Sequence, residues 1–297
     1  MLRQLIIIVF GVMFLLAACN SGDETKEGNE QQSSADSETT EEAIEAEEDE
    51  GEEAQEENDE IEKENPSVSD LEELFLRMKD AAQSVQSITI TGVAEAENKV
   101  ADTTIASTME MHIDATFNPF VQHAIFNVTE GEGGKTEWYA TENDMFVNMD
   151  DSGWERTVHP VAVTAANLIH RTDHFDHLIL YKNLFELAEE GDHYIITYIG
   201  SDEQFKEVFY EDTVVKNFTQ MMEELNALLE NMEMSGAVEM KVSKDTFLIE
   251  EQHTIYNSSM ENAGIAVETL QDGTYTYSYD EVSKIEIPDE VKGNVQN

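Results

Sequence analysis

The sequence predicts an α+β fold in which one antiparallel sheet curves over a small set of helices. Three observations support this prediction: an amphipathic helix pattern at the start of the domain, strict apolar–polar alternation behind it, and a return of both patterns later in the chain. Most of the remaining sequence consists of short strand-like segments separated by turn residues, which is typical of antiparallel meanders.

The first helix is predicted over residues 69–85. Ser69 and Glu72 have the spacing of a capping box, so the helix is expected to begin at Ser69. Its apolar residues recur at helical spacing, and they are Leu71, Leu74, Phe75, Met78, Ala82 and Val85.

A half-buried antiparallel strand is predicted over residues 105–117, where apolar side chains occupy mainly odd positions and polar ones the even positions. Further strands are expected at 87–97 and 121–130. Asn118-Pro119 is the predicted turn between the strand at 105–117 and the strand at 121–130. A meander of short strands follows, and its members are Thr136–Ala140, Met145–Asn148 and Trp154–Thr157.

Helical spacing returns at 164–182 and 211–232, and Ser235-Gly236 is expected to end the second of these helices. A short strand at 193–199 lies between them. The C-terminal part is strand-like again, with Gln271-Asp272-Gly273 predicted as a hairpin turn.

The first 18 residues have the layout of a secretory signal peptide, in which Arg3 precedes an apolar run that ends near Leu16. That run is shorter than the roughly 20 residues of a membrane-spanning helix. The tetrapeptide Leu16-Ala17-Ala18-Cys19 resembles the bacterial lipobox, which implies that Cys19 carries a lipid and starts the mature chain. The alternative is an ordinary signal anchor with a chance cysteine. With one cysteine, no intrachain disulfide can form.

Residues 19–65 are expected to be a lipidated cysteine followed by an acidic, disordered tether, and residues 66–297 the folded domain. Of the net charge of −49, about −19 falls on 20–65 and about −31 on 66–297. The tether is interpreted as a spacer, with a weak cation-binding strip or a docking tail for a basic partner as the alternatives.

The charge and the missing motifs exclude several function classes. A chain this acidic repels the phosphate groups of nucleic acids, so nucleic-acid binding is not expected. It also repels anionic lipid headgroups, so contact with a membrane requires the anchor at Cys19. Catalytic signatures such as G-x-S-x-G, H-E-x-x-H or a P-loop are missing, so neither an enzyme nor a cofactor is expected.

A histidine-rich stretch is the one candidate metal site in the sequence. On a helix, His170, His174 and His177 would share a face with Asp173 beside them, and these groups suit zinc or copper. Their spacing matches no established metal motif, so a polar helix face is the favoured interpretation and no bound metal is expected.

The domain resembles the bacterial lipoproteins with a LolA- or LppX-type fold, in particular a poorly characterised Gram-positive group. The resemblance covers roughly 66–297 and depends on the helix leading into Ile88-Thr89-Ile90, the Glu137-Trp138-Tyr139 meander and the closing Ile287-Pro288-Asp289-Glu290-Val291. It implies a half or incomplete barrel whose concave face packs on helices, with a hydrophobic cavity between them.

Two functions follow as hypotheses for a protein on the outer face of the cell membrane. The first is non-covalent binding of a hydrophobic or lipid-linked ligand in that cavity. The second is an envelope protein-interaction or stress-related module in which the same residues simply fill the core. The candidate cavity residues are Met109, Met111, Ile113, Phe117, Phe218, Met221, Met222 and Leu225.

Overall fold

A computed structural model of the chain describes residues 70–101, 103–129, 133–157, 173–209, 232–262 and 265–293. All of these residues belong to one compact unit. The predicted signal peptide, lipobox and tether lie outside the described residues, as do Phe218, Met221, Met222 and Leu225.

Helix α1, Leu71–Ser84, confirms the predicted helix but begins two residues later than predicted. Asp70 is the N-cap, and its Oδ1 accepts a hydrogen bond of 2.9 Å from the backbone N–H of Glu73. The buried stripe of α1 contains Leu74, Phe75, Met78 and Ala82, which are members of the predicted apolar set.

In the described part of the chain, eleven antiparallel strands form a single sheet in the order β6-β5-β4-β3-β2-β1-β11-β10-β9-β8-β7. Strands β1–β6 form the first arm of the sheet and β7–β11 form the second arm. The two arms meet where β11 pairs with β1. The strands are β1 Ser87–Val100, β2 Thr103–Phe117, β3 Phe120–Val128, β4 Gly134–Thr141, β5 Met145–Met149, β6 Trp154–Thr157, β7 Phe185–Glu190, β8 His193–Tyr198, β9 Glu233–Ser243, β10 Ile249–Asn262 and β11 Ile265–Tyr279.

The sheet is not closed, because β6 and β7 stand at opposite ends of the strand order. Its concave face is nevertheless continuous, since apolar residues of both arms join α1 in one buried cluster. The predicted fold class, an α+β protein with a curved antiparallel sheet on helices, is thereby confirmed.

Two local predictions in the C-terminal arm are wrong. Gln271-Asp272-Gly273 is not a turn but lies in the middle of β11, where Gly273 pairs with Ala94 of β1. Ser235-Gly236 does not end a helix but lies inside β9. In both places glycine serves the close approach of a buried aromatic side chain, because an added Cβ would overlap Tyr275 at Gly273 and Phe205 at Gly236.

The other helices within the described residues are short: α2 Asp173–Leu180, a 3₁₀ turn Lys182–Leu184, α3 Asp202–Phe209 and α4 Asp289–Gly293. Helix α1 lies over the second arm, where Phe75 makes an edge contact with Phe185 of β7, their ring centroids 5.8 Å apart. Helix α3 contacts the same arm through Phe205, whose ring centroid lies 5.6 Å from that of Tyr198 on β8. Helix α2 lies beside α1, to which Asp176 is joined by a 2.6 Å ion pair with Lys79.

The C-terminal segment packs on the outer, convex face of β4, β5 and β6. Val291 of α4 is buried against Tyr139 and Phe146, and Trp154, Ile285 and Ile287 pack around them. The sheet therefore has a large hydrophobic cluster on its concave face and a small hydrophobic cluster on its convex face, beneath the C-terminal segment.

Candidate functional site

The concave face of the first arm is uncharged. A residue of β1–β5 lies on the concave face when strand pairing aligns it with a member of the buried cluster. None of the described residues on this face is Asp, Glu, Lys, Arg or His. The strands' acidic and basic residues are on the convex face, such as Glu110, His123 and Glu137. In a chain with a net charge of −49, this separation leaves an apolar surface inside the open sheet.

A fully buried polar side chain interrupts that surface. Gln122 on β3 is fully buried, and its pairing partners on either side are Ala115 of β2 and Ala140 of β4. Neither the amide nitrogen nor the amide oxygen of Gln122 has a hydrogen-bond partner in the structure that is described. Burying such a group without a partner costs about 1–3 kcal/mol, so native proteins rarely do it.

Trp138 provides a second unpartnered group on the same face. Its register partner is Ala124, two residues from Gln122, which makes Gln122 and Trp138 diagonal neighbours across β3 and β4. The indole ring stacks on Phe126 at 4.6 Å, while its buried Nε1 has no acceptor among the described groups. Gln122 and Trp138 together are called the polar pair below.

The second arm also buries polar side chains, but there they are hydrogen-bonded to one another. The Tyr256 hydroxyl donates to Gln271 Oε1 at 2.7 Å, and Gln271 Nε2 donates to the Tyr275 hydroxyl at 3.3 Å. A second chain runs from the Tyr277 hydroxyl to Gln252 Oε1 at 3.2 Å. These residues form a buried polar ladder along β10 and β11.

The ladder depends on glycine. The ring of Tyr275 lies close to Gly92 of β1, so that a Cβ at position 92 would be 2.5 Å from Tyr275 Cδ1. Alanine at position 92 would therefore displace the ring and its hydrogen bond.

Burial disfavours the ionised form of several tyrosines in the second arm. Burial raises the pKa of Tyr256 well above its usual range, and the neighbouring Tyr275 adds to the shift. Burial likewise raises the pKa of Tyr275 and of Tyr279, whose hydroxyl donates to the Ile249 carbonyl at 2.7 Å. On β8, burial and then the charges of Asp202 and Glu207 raise the pKa of Tyr198 to about 12.

A recess of about 870 Å³ opens at one end of the second arm, between α3 and the ends of β1, β9, β10 and β11. Its rim is charged, because it includes Glu97, Asp202 and Glu233, and Lys99 there pairs with Glu268 at 3.0 Å. The four predicted cavity residues that the structure describes do not line this recess. It is therefore a polar opening, distinct from the uncharged face of the first arm.

The described cavity candidates all lie on β2. Met109, Ile113 and Phe117 are buried and Met111 is partly buried, and all four belong to the concave cluster. The structure thus brings them onto the same face as the polar pair. Neither member of the polar pair is a predicted site residue, because glutamine and tryptophan at their positions carry no sequence signal of a binding site.

The histidine candidates are partly described. His177 Nε2 donates to the Val208 carbonyl at 3.1 Å, and burial lowers the pKa of His177 against the opposing effect of that hydrogen bond. His174 contacts the ring of Phe175, with centroids 5.3 Å apart. His170 and the side chain of Asp173 lie outside the described residues. Within the residues described, no group of three or more His, Cys, Asp or Glu side chains is placed to hold a metal ion.

No described helix combines the length and the apolar character that crossing a membrane requires. The anchor predicted at Cys19 lies outside the described residues and stays a prediction.

The architecture, an open antiparallel sheet with helices on its concave side, is the one that the LolA/LppX-type resemblance implies. The chain belongs to the family of unknown function DUF6612, whose sequence pattern matches residues 70–296. No curated protein matches the chain.

Several solved structures are similar in shape. LprF from Mycobacterium bovis matches with a TM-score of 0.38 and 9% identity, over 73% of this chain and 96% of that one. A DUF1329 family protein from Desulfovibrio piger matches with a TM-score of 0.27 and 12% identity, over 72% and 93%. A LolA superfamily protein from Nitrosomonas europaea matches with a TM-score of 0.25 and 12% identity, over 75% and 97%. These similarities carry no information about a ligand.

Proposed function

We propose that the protein is a lipid-anchored carrier on the outer face of the cell membrane, which binds a hydrophobic or lipid-linked ligand non-covalently against the concave face of its sheet. The observation that carries this proposal is the uncharged concave face of β1–β5 in an open sheet. A strongly acidic protein that needed only a stable core could bury apolar residues in a closed or two-layered fold. In an open sheet the edge strands β6 and β7 are not paired with each other, so a ligand could enter between them to reach the apolar face.

The side chains on that face suit flexible ligands. Met109, Met111 and Met145 belong to the concave cluster or pack on it, and methionine adapts its shape to irregular apolar surfaces. The proposal extends to Phe218, Met221, Met222 and Leu225, the predicted cavity residues that lie outside the described residues. No covalent step is required, so the action is sequestration or transfer.

The anchor is the second part of the proposal. Two or three acyl chains on Cys19 would hold the protein firmly at a membrane, whereas a single chain binds only marginally. The acidic segment 20–65 would hold the domain away from anionic headgroups.

A single variant tests both parts in the full-length chain. Cys19→Ala is expected to move the protein from the membrane fraction to the medium, while Thr25→Ala, a neighbouring change outside the lipobox, leaves it membrane-bound. Native mass spectrometry of the released Cys19→Ala protein is then expected to show co-purifying lipid, which cannot be the covalent anchor.

The two parts fail separately. Retention of Cys19→Ala at the membrane contradicts the anchor. Released protein that is free of lipid and captures a defined envelope protein instead contradicts the carrier, and favours the interaction module with a filled core.

A further inference from the structure

We propose that Gln122 and Trp138 form the polar anchor of the ligand site and select an uncharged lipid whose head carries a carbonyl or hydroxyl group, such as a monoacylglycerol. This inference rests on the proposed carrier function, because it names the class of ligand that the concave face would take. It starts from two buried polar groups that the described protein does not satisfy.

The surroundings of Gln122 explain why no protein group reaches it. Its neighbours across the sheet are Ala115 and Ala140, and Phe120 and Ala124 flank it on its own strand face, so none of these four side chains carries a hydrogen-bonding atom. All three alanines are fully buried. Because these neighbours cannot hydrogen-bond to the amide, we infer that a polar atom of a ligand is its partner.

The hydrogen-bonding capacity of the polar pair defines the ligand head. Gln122 offers two N–H donors and one carbonyl acceptor, and Trp138 offers a single N–H donor. An ester carbonyl can accept from the amide of Gln122 or the indole of Trp138, and a hydroxyl can also donate to Gln122 Oε1. The stack of Trp138 on Phe126 fixes the direction of the indole, so its N–H is preorganised.

Charge selects against ionised lipids. The concave-face residues described on β1–β5 include no cation that could pair with a carboxylate or a phosphate. A desolvated anion without a partner is strongly disfavoured, so fatty-acid anions and phospholipid headgroups are excluded from this site. The acyl chain would lie along the apolar residues of β2 and β3.

The two tryptophans of the chain allow a site-specific test, because Trp138 is on the concave face and Trp154 packs with the outer cluster. In full-length Cys19→Ala protein that also carries Trp154→Phe, Trp138 is the only tryptophan and reports on its own surroundings. Titration with monoolein is expected to change its emission, and oleate of the same chain length is expected to bind at least about tenfold more weakly.

Gln122→Met, which keeps an unbranched side chain of similar length, is expected to weaken monoolein binding about tenfold, the effect of losing one buried hydrogen bond. The matched control is Gln86→Met, a change at an exposed glutamine that leaves affinity unchanged. Trp138→Phe, followed by calorimetry in the Cys19→Ala chain, is an independent second variant and is expected to weaken binding by a similar factor.

The outcomes separate this inference from the proposed function. If monoolein and oleate bind equally well and Gln122→Met has no effect, the carrier function stands and the polar anchor is overturned, with water as the partner of Gln122. If neither lipid binds and Trp138 emission never changes, the carrier function and the anchor fail together.

Discussion

The two arms of the sheet bury glutamine on the same face with different results. Gln271 in the second arm accepts from Tyr256 and donates to Tyr275, whereas Gln122 in the first arm lies between alanines without a partner in the described structure. A hydrogen-bonded polar ladder adds to the stability and specificity of a core, while an unpartnered polar group lowers stability. The comparison teaches that the described second arm satisfies its buried glutamine from within, whereas the described first arm does not, and the proposed polar anchor would account for this difference.

The largest expected effect follows from breaking the ladder. Gln271→Leu removes two hydrogen bonds and leaves the buried Tyr256 hydroxyl without its acceptor, so the free energy of unfolding should fall by about 2–4 kcal/mol. Urea unfolding of the Cys19→Ala protein measures this. Gln86→Leu, at an exposed glutamine, should stay within about 0.5 kcal/mol of the parent. Equal effects of the two substitutions would show that the ladder does not stabilise the second arm.

Alkaline pH tests the same ladder without a mutation. Burial raises the pKa of Tyr256, Tyr275 and Tyr279 in the folded protein, so folding disfavours their phenolate forms. Their contribution to stability is full below the unfolded pKa of about 10 and is lost as pH rises above it, at up to about 1.4 kcal/mol per pH unit for each group. Phenolate absorbance of the buried tyrosines should therefore appear together with unfolding. Ionisation of all nine tyrosines in the folded state would contradict the prediction.

Gln122→Met tests the first arm and should have the opposite sign to Gln271→Leu. In the ligand-free protein the substitution replaces an unpartnered buried amide with an apolar side chain, so the free energy of unfolding should rise by about 1–2 kcal/mol. Urea unfolding after exhaustive delipidation measures the change. A loss of stability as large as that of Gln271→Leu would mean that Gln122 is as well satisfied as its counterpart.

The smallest effect concerns the outer face of the first arm. Burial alone would raise the pKa of Glu137, but hydrogen bonds from His123 at 2.9 Å and Lys135 at 3.0 Å outweigh it and lower that pKa. The stabilisation is present above the unfolded pKa of about 4.3 and is lost as pH falls through the lowered folded value. Glu137→Gln should remove about 1 kcal/mol or less at neutral pH and flatten stability between about pH 5 and 3. Glu239→Gln, at an exposed glutamate of β9, is the control that should change neither.

Local sequence patterns predicted the elements whose own residues define them. The apolar stripe of α1 and the alternation of β2 are visible within single segments, because one face of each is buried and the other is solvated. In β10 and β11 the concave positions are occupied by Gln252, Thr254, Tyr256 and Gln271, so both faces read as polar and the alternation disappears. The erroneous hairpin turn at residues 271–273 follows from this, since a glycine next to an aspartate in a polar run resembles a turn.

The sequence by itself determined the open α+β class, the family pattern over residues 70–296 and the division of charge between the segment 20–65 and the domain. Only the tertiary structure decided where polar groups are satisfied. Gln122 lies beside Ala115 and Ala140, and Tyr275 fits against Gly92 of a strand far away in the chain. Hydrogen bonding and space depend on neighbours across the sheet, and no local pattern records them.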